Sequence, residues 1–156
     1  MMEHSQIIRD FYTAFARHDA EGMAACYHPN IIFSDPAFGT LKGKQVSDMW
    51  KMLIERSKGN LKITFSNIQT DDHVGSANWT AEYLFSKTGR NVVNKVYAEF
   101  EFKDGLIISH TDHFDFWKWS QQALGIKGLL LGWLGFLRAK VRQQARHSLE
   151  NYQKRH

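Results

Sequence analysis

The chain of 156 residues lacks the features that mark several special classes of protein. Its single cysteine, Cys26, excludes a disulfide within the chain and suits a reducing compartment, so we expect a cytoplasmic protein. No apolar run reaches the ~18 residues of a membrane span. The first ten residues, MMEHSQIIRD, lack the basic and apolar regions of a secretory signal, so none is expected. With 43% hydrophobic and 13% aromatic residues, the chain can bury a substantial core.

Charge is distributed unevenly along the chain. Residues 1–117 carry 12 basic and 15 acidic side chains, a net charge of −3, whereas residues 118–156 carry 8 and 1, a net charge of +7. The overall charge of +4 therefore comes from the C-terminal tail. In that tail the aromatic residues precede the basic ones instead of alternating with them, so we expect no nucleic-acid binding.

Apolar residues at helical spacing predict three helices in the first part of the chain. They cover residues 5–17, a short segment that Asp19 caps and that runs through Tyr27, and residues 45–57. Pro29 ends the second helix. A short strand then begins at Ile31 and stops at Asp35-Pro36, and a loop is expected over residues 37–44.

After residue 60 the hydrophobic pattern changes to a period of two, which is typical of strands. The predicted strands cover residues 61–70, 74–86, 92–103 and 106–117. Asp104-Gly105, between the last two, is a strong hairpin signal. Three helices followed by a meander of long strands predict an α+β fold, in which the helices cover one face of a curved antiparallel sheet.

The last strand, ISHTDHFDFWKW at its end, places polar groups on a face that should be buried. Alternation puts His110 and Asp112 between Ile108 and Phe114 on that face, while His113 points away. Asp35 shares a side with Ile31 and Phe33 on the first strand. Asp35, His110 and Asp112 are therefore predicted to point into one apolar enclosure.

Three interpretations of these groups remain open. His110 and Asp112 can satisfy each other as a structural pair, since a buried polar group without a partner is costly. Alternatively, carboxylates in an apolar cavity can act as general bases near neutral pH, because burial raises their pKa. A metal site of Asp35, His110 and Asp112 has a weak ligand signature, so we predict no metal and no cofactor.

The order of elements resembles the cystatin-like cone of nuclear-transport-factor-like proteins, over roughly residues 4–117. The stretch FSDPAFG at 33–39 resembles the loop of ketosteroid isomerases that carries a general-base Asp, here Asp35. The stretch GLIISHTD at 105–112 resembles the strand of SnoaL-like polyketide cyclases whose Asp acts as acid or base, here Asp112. We expect one cone domain over residues 1–117, extended by a helical tail over residues 118–156.

The resemblance implies an isomerase, cyclase or lyase that moves a proton next to the carbonyl of a small apolar ligand. The position of the Tyr that ketosteroid isomerases use falls on Phe11, with Tyr12 one residue away. The position of the second Asp of these isomerases falls near Ala98. The other residues expected to contact substrate are the aromatic side chains Trp50, Trp79, Tyr83, Phe100 and Phe114. The alternative is a binding module, without catalysis, for an apolar ligand or a protein partner. The resemblance also implies a homodimer.

The tail combines an apolar stretch over residues 126–137 with a basic helix. Leu137, Val141, Ala145, Leu149 and Tyr152 recur at helical spacing, and arginines are expected on the opposite side. This helix can lie against its own domain as a lid, pack on a second subunit, or rest on an anionic membrane surface.

Overall fold

The computed structural model describes residues 2–125 and 135–155, with side chains from residue 4 to residue 125 and from residue 138 to residue 155. The predicted apolar stretch of the tail lies largely outside these residues. Eleven elements follow one another along the described chain: α1 (Met2–Ala16), α2 (Ala20–Ala25), β1 (Tyr27–Asp35), β2 (Gly39–Lys42), α3 (Lys44–Ser57), β3 (Leu61–Thr70), β4 (Val74–Phe85), β5 (Arg90–Lys103), β6 (Leu106–His113), α4 (Phe116–Leu124) and α5 (Gly135–Arg155).

The six strands form one curved, unclosed sheet in the order β2-β1-β6-β5-β4-β3. All neighbouring pairs are antiparallel except β1 and β6, which run parallel. The inner face of β5 buries Val92, Val96, Ala98 and Phe100, as its alternation predicts. The α+β prediction is confirmed, and the fold is that of the nuclear-transport-factor-like cone.

Two strand predictions are wrong at the start of the sheet. β1 begins at Tyr27, before Pro29, and an irregularity between Tyr27 and Ile32 accommodates the proline. The expected loop contains β2, which pairs back on β1 from Asp35 opposite Gly39 to Ile32 opposite Lys42.

The last strand also differs from its prediction. β6 ends at His113 because Asp115 caps a new helix, its side chain accepting a hydrogen bond from the Lys118 N–H at 3.1 Å. Near its start, an irregularity in the pairing with β5 changes the alternation. Ile107 is fully buried in place of the predicted Ile108, whereas His110 and Asp112 keep their predicted face.

Helix α4 packs beside the end of β5 that β6 leaves unpaired. The Gln122 side chain accepts a hydrogen bond from the Val93 N–H at 2.7 Å and donates one to the Val93 carbonyl at 3.1 Å. Its amide group therefore meets both backbone groups of Val93.

Helix α5 lies against its own domain. Leu149 and Tyr152 are buried in the main core, and the Tyr152 hydroxyl donates a hydrogen bond to Glu55 on α3 at 2.8 Å. The prediction that the arginines lie on the opposite side is wrong for Arg142 and Arg146, which are half-buried. Arg142 precedes Leu149 by seven residues, or about two turns, so both side chains lie on the same side of the helix.

Two other interpretations of the tail stay predictions, namely contact with a second subunit and contact with a membrane surface. No helix among residues 2–125 and 135–155 has the length and apolar character needed to cross a bilayer.

Leu149→Ala is predicted to lower the free energy of unfolding by about 2–5 kcal/mol, because it opens a cavity where α5 meets the core. Urea denaturation measures this, with the exposed neighbour Glu150→Ala as the control. Equal stabilities of the two variants would contradict the docking of α5.

Candidate active site

His110 and Asp112 form a buried hydrogen-bonded pair on the inner face of β6. His110 Nε2 lies 2.9 Å from Asp112 Oδ1, and the residues are 0% and 3% exposed. On the neighbouring strand, Ala98 stands opposite Asp112. Its small side chain leaves more room beside the carboxylate than a large one would.

A chain of hydrogen bonds extends from this pair to two tryptophans. Trp50 Nε1 donates to the Tyr27 hydroxyl at 2.8 Å, and that hydroxyl lies 2.8 Å from His110 Nδ1. At the other end, Trp79 Nε1 donates to Asp112 Oδ1 at 3.2 Å. Since an indole N–H can only donate, Tyr27 accepts from Trp50 and can donate to a neutral His110, which then donates from Nε2 to Asp112.

Aromatic rings enclose the His110 imidazole. The ring centres of Phe100, Phe33 and Phe11 lie 4.6, 5.0 and 5.5 Å from it, and Trp50 stacks at 6.1 Å. Both ring nitrogens are engaged and no part of the side chain is exposed. In this arrangement His110 orients Asp112 and has no N–H free for a ligand.

The Tyr12 hydroxyl is buried without a hydrogen-bond partner in the described part of the chain. Its ring packs between Phe65 and Trp79, at 5.6 and 5.9 Å. Burial, and then the charge of Asp112, raise the pKa of Tyr12 well above its usual value, so the hydroxyl keeps its proton. Tyr12 is therefore a neutral donor whose hydroxyl has no acceptor among the described residues.

Asp35 ends β1 at the mouth of the same enclosure. Its Oδ1 accepts hydrogen bonds from the backbone N–H groups of Ala37 and Phe38, at 2.9 and 2.6 Å. Burial, the largest effect, together with the charge of Asp112, raises the pKa of Asp35 from 3.8 to about 7, although Arg142 and the two backbone N–H groups oppose the shift. Asp35 thus exchanges protons near neutral pH.

The remaining predicted residues divide between the interior and the mouth. Tyr83 accepts a hydrogen bond from Trp119 Nε1 at 2.8 Å, and burial followed by the charge of Asp35 raises its pKa. Phe114 is half-buried and packs against both the main core and a second apolar cluster, which consists of Val92, Phe116, Trp119 and Ala123. The structure therefore brings Asp35, Asp112 and the predicted aromatic residues around one enclosure, although whether each contacts a ligand stays a prediction.

Open hollows of about 570 and 560 Å³ lie elsewhere on the described surface. The first is beside Tyr97 and Glu99 on the outer sheet face, and the second is beside Lys140 and His147 of α5. Around His110, by contrast, side chains fill the interior. A ligand of ring size would need the aromatic side chains of the enclosure to rearrange.

His113 faces away from the enclosure, as predicted, and its Nε2 lies 2.7 Å from Glu99 Oε1. Among the residues with described side chains, no three His, Cys, Asp or Glu groups come together as a metal site.

The sequence patterns did not indicate a role in the site for Tyr27 or Arg142. Tyr27 stands at an odd-numbered position, as do Ile31, Phe33 and Asp35. Extending the alternation of the strand back through Pro29 would therefore have placed Tyr27 on the inner face. No local signal marks Arg142, because its position depends on how α5 docks.

The chain belongs to the SnoaL-like domain family, whose model matches residues 8–110. Three solved structures illustrate the likeness. A candidate polyketide cyclase from Xanthomonas campestris is 17% identical, with a TM-score of 0.63 over 78% of this chain and 96% of that one. An LEH-like epoxide hydrolase from M. tuberculosis is 20% identical, with a TM-score of 0.61 over 87% and 96%.

The third is an NTF2-like protein of unknown function from Burkholderia pseudomallei, 21% identical with a TM-score of 0.59 over 74% of this chain and 92% of that one. No curated protein matches the chain significantly. At these identities the structural likeness establishes the fold and not an activity.

The stability of the protein is predicted to fall as the pH rises through the titration of Asp35, and Asp35→Asn should remove this part of the fall. The folded carboxyl keeps its proton up to about pH 7, whereas the unfolded one loses it near 3.8. The stability from that proton is full below the lower pKa and is lost as the pH rises through the upper one. Between about pH 4 and pH 8 the variant should therefore lose roughly 2–4 kcal/mol less than the unmodified protein.

Denaturation in urea across this pH range measures the difference, and exposed Asp72→Asn is the control. Parallel pH profiles for the unmodified protein and Asp35→Asn would show that the Asp35 carboxyl titrates normally.

Proposed function

We propose that this protein is a small-molecule enzyme of the isomerase or cyclase type, which transfers a proton next to a carbonyl by general acid/base catalysis. The family to which the chain belongs, and the cyclase-type and hydrolase-type neighbours of its fold, are consistent with this class. The proposal depends mainly on one observation: the buried Tyr12 hydroxyl has no hydrogen-bond partner among the described residues, and the charge of Asp112 acts on it.

A buried hydroxyl without a partner costs free energy, about 1–3 kcal/mol. A carbonyl oxygen of a ligand would remove that cost by accepting the Tyr12 hydrogen bond. Within the described residues, Asp112 makes its two hydrogen bonds through Oδ1, so Oδ2 is available to take a proton. Donor and base share one neighbour, since Trp79 packs on the Tyr12 ring and donates a hydrogen bond to Asp112.

The proton transfer follows from this arrangement. Asp112 Oδ2 takes the acidic proton from the carbon next to the carbonyl, and the electron pair of the broken C–H bond forms the enolate. Tyr12 donates a hydrogen bond to the oxygen on which negative charge develops. His110 and Trp79 hold the carboxylate in place through Oδ1. Asp35, with its pKa of about 7, supplies or accepts a proton at the mouth.

The enclosure favours an apolar substrate, since its walls are aromatic. Trp50, Trp79 and Phe100 are buried, with Trp79 and Phe100 packed on the Tyr12 ring and Trp50 stacked on His110. No metal or cofactor is part of the proposal. The homodimer and the cytoplasmic location remain predictions.

A second candidate function is a binding module without catalysis. The observation that favours it is the complete burial of His110, with both nitrogens bonded and rings on several sides. In that case the hydrogen-bonded chain stabilises the fold, and the aromatic walls hold an apolar ligand without reacting with it.

Asp112→Asn is predicted to reduce proton exchange by at least about 100-fold, because an amide cannot act as the base. The measurement is NMR detection of deuterium uptake next to the carbonyl in a panel of enolisable aromatic ketones, with β-tetralone as the first compound. Glu101→Gln, on the exposed outer face, is the matched control and should behave as the unmodified protein.

The same assay separates the two functions. Exchange by the unmodified protein that survives Asp112→Asn unchanged would refute the assigned base. Binding of the ketones without any catalysed exchange would favour the binding module.

A further inference from the structure

Arg142, on α5, is a half-buried basic side chain that lies on the β1–β2 hairpin. Its Nε is buried and has no hydrogen-bond partner among the described residues. Its positive charge lowers the pKa of Asp35, which places it near that carboxyl, yet the two side chains form no ion pair within 4.0 Å. A buried guanidinium N–H that stays unpaired beside a carboxyl calls for another acceptor.

The backbone at the mouth is shaped to receive this side chain. Gly39, the strand partner of Asp35, has a φ of +72°, which favours glycine. A Cβ at Gly39 would lie 3.0 Å from Arg142 Cδ and 3.1 Å from its Nε. The absence of a side chain therefore lets the guanidinium lie directly on the β1–β2 hairpin, beside Asp35.

Arg146, one turn later on α5, has a different environment. Its Nη1 donates hydrogen bonds to the carbonyls of Phe38 and Thr40, at 3.2 and 3.0 Å. These bonds already fasten α5 to the hairpin on both sides of Gly39. Arg142 is therefore not needed as a fastener, and its Nε is left for another contact.

We propose that Arg142 binds an acidic oxygen of the ligand, so that the ligand is an apolar ring compound carrying a carboxylate or a comparably acidic hydroxyl group. The inference deepens the proposed function, on whose enclosure it rests, by naming the chemical class of the ligand. A guanidinium suits this role because its N–H groups match the geometry of a carboxylate.

Asp35 does not conflict with an anion at this position. Its pKa of about 7 means that the group takes up a proton readily near neutral pH, and a neutral carboxyl does not repel an anion. When protonated it can also donate its own O–H to the ligand oxygen. The charge of Asp112 also acts on Asp35, while burial and the charge of Asp35 raise the pKa of Tyr83, which stays neutral.

The test compares two probes that share one ring system and differ in charge and by one methyl group, naphthoate and its methyl ester. Titrations followed by tryptophan fluorescence give the dissociation constant of each for the full chain. We expect the unmodified protein to bind naphthoate about tenfold more tightly than the ester, the effect of one charge-assisted hydrogen bond. Arg142→Gln and Arg142→Met should abolish this preference.

Arg146→Gln is the matched control, since it removes an arginine from the same helix without touching the unpaired Nε. It should keep the preference for naphthoate. Circular dichroism first establishes that each variant is folded. If Arg142→Gln does not fold, Arg142→Met replaces it, because Met keeps an apolar side chain to lie on Gly39. Any of three results would overturn the inference. They are equal binding of the two probes by the unmodified protein, a preference that both Arg142 variants retain, and a preference that Arg146→Gln also loses.

Asp112→Asn distinguishes this inference from the proposed function. The variant should lose proton exchange and keep the preference for naphthoate. Loss of the preference with Arg142 intact would mean that the anion is held elsewhere, whereas unchanged exchange would refute the catalytic role and leave the anion site standing.

Discussion

The hydrogen bond between His110 and Asp112 is the constraint on which the interior depends. An ionisable pair inside an aromatic core needs hydrogen-bond partners, because the low dielectric of the interior penalises an unpaired group heavily. Tyr27 and Trp50 meet this requirement on the histidine side, and Trp79 meets it on the carboxylate side. Four elements, β1, α3, β4 and β6, thus each contribute one or more side chains to a single network, and their relative positions are coupled through it.

The two carboxyl groups of the enclosure, Asp112 and Asp35, have different hydrogen-bond donors. Asp112 accepts hydrogen bonds from N–H groups of two side chains, whereas Asp35 accepts them from two backbone N–H groups at a strand end. Asp35 is also influenced by the charge of Arg142, with which it forms no ion pair. One fold can thus hold one carboxyl group through side-chain donors and shift the pKa of another through burial. The fold supplies the enclosure, and the side chains decide whether it performs chemistry or only binds.

Sequence alone was sufficient for the class of fold and for the inward direction of His110 and Asp112, because period-two alternation and a helical repeat are local signals. Residues whose roles depend on contacts distant in the chain could not be found this way. Tyr27 lies 83 residues before the histidine it contacts. Ile107 replaces Ile108 in the core because of an irregularity that only strand pairing reveals. Arg142 reaches the mouth only through the docking of α5. Pro29 misled the prediction of β1 because a proline argues against a strand unless it falls at an edge or an irregularity, as it does here.

The two hydrogen bonds between Gln122 and Val93 have a consequence for association between molecules. Beyond the end of β6, the free edge of β5 would offer an N–H and a carbonyl to any extended chain that approached it. The Gln122 amide presents the same donor and acceptor that another strand would bring, and so occupies this position from within the molecule. Helix α4 therefore protects the sheet against edge-to-edge aggregation at the point where β6 turns away.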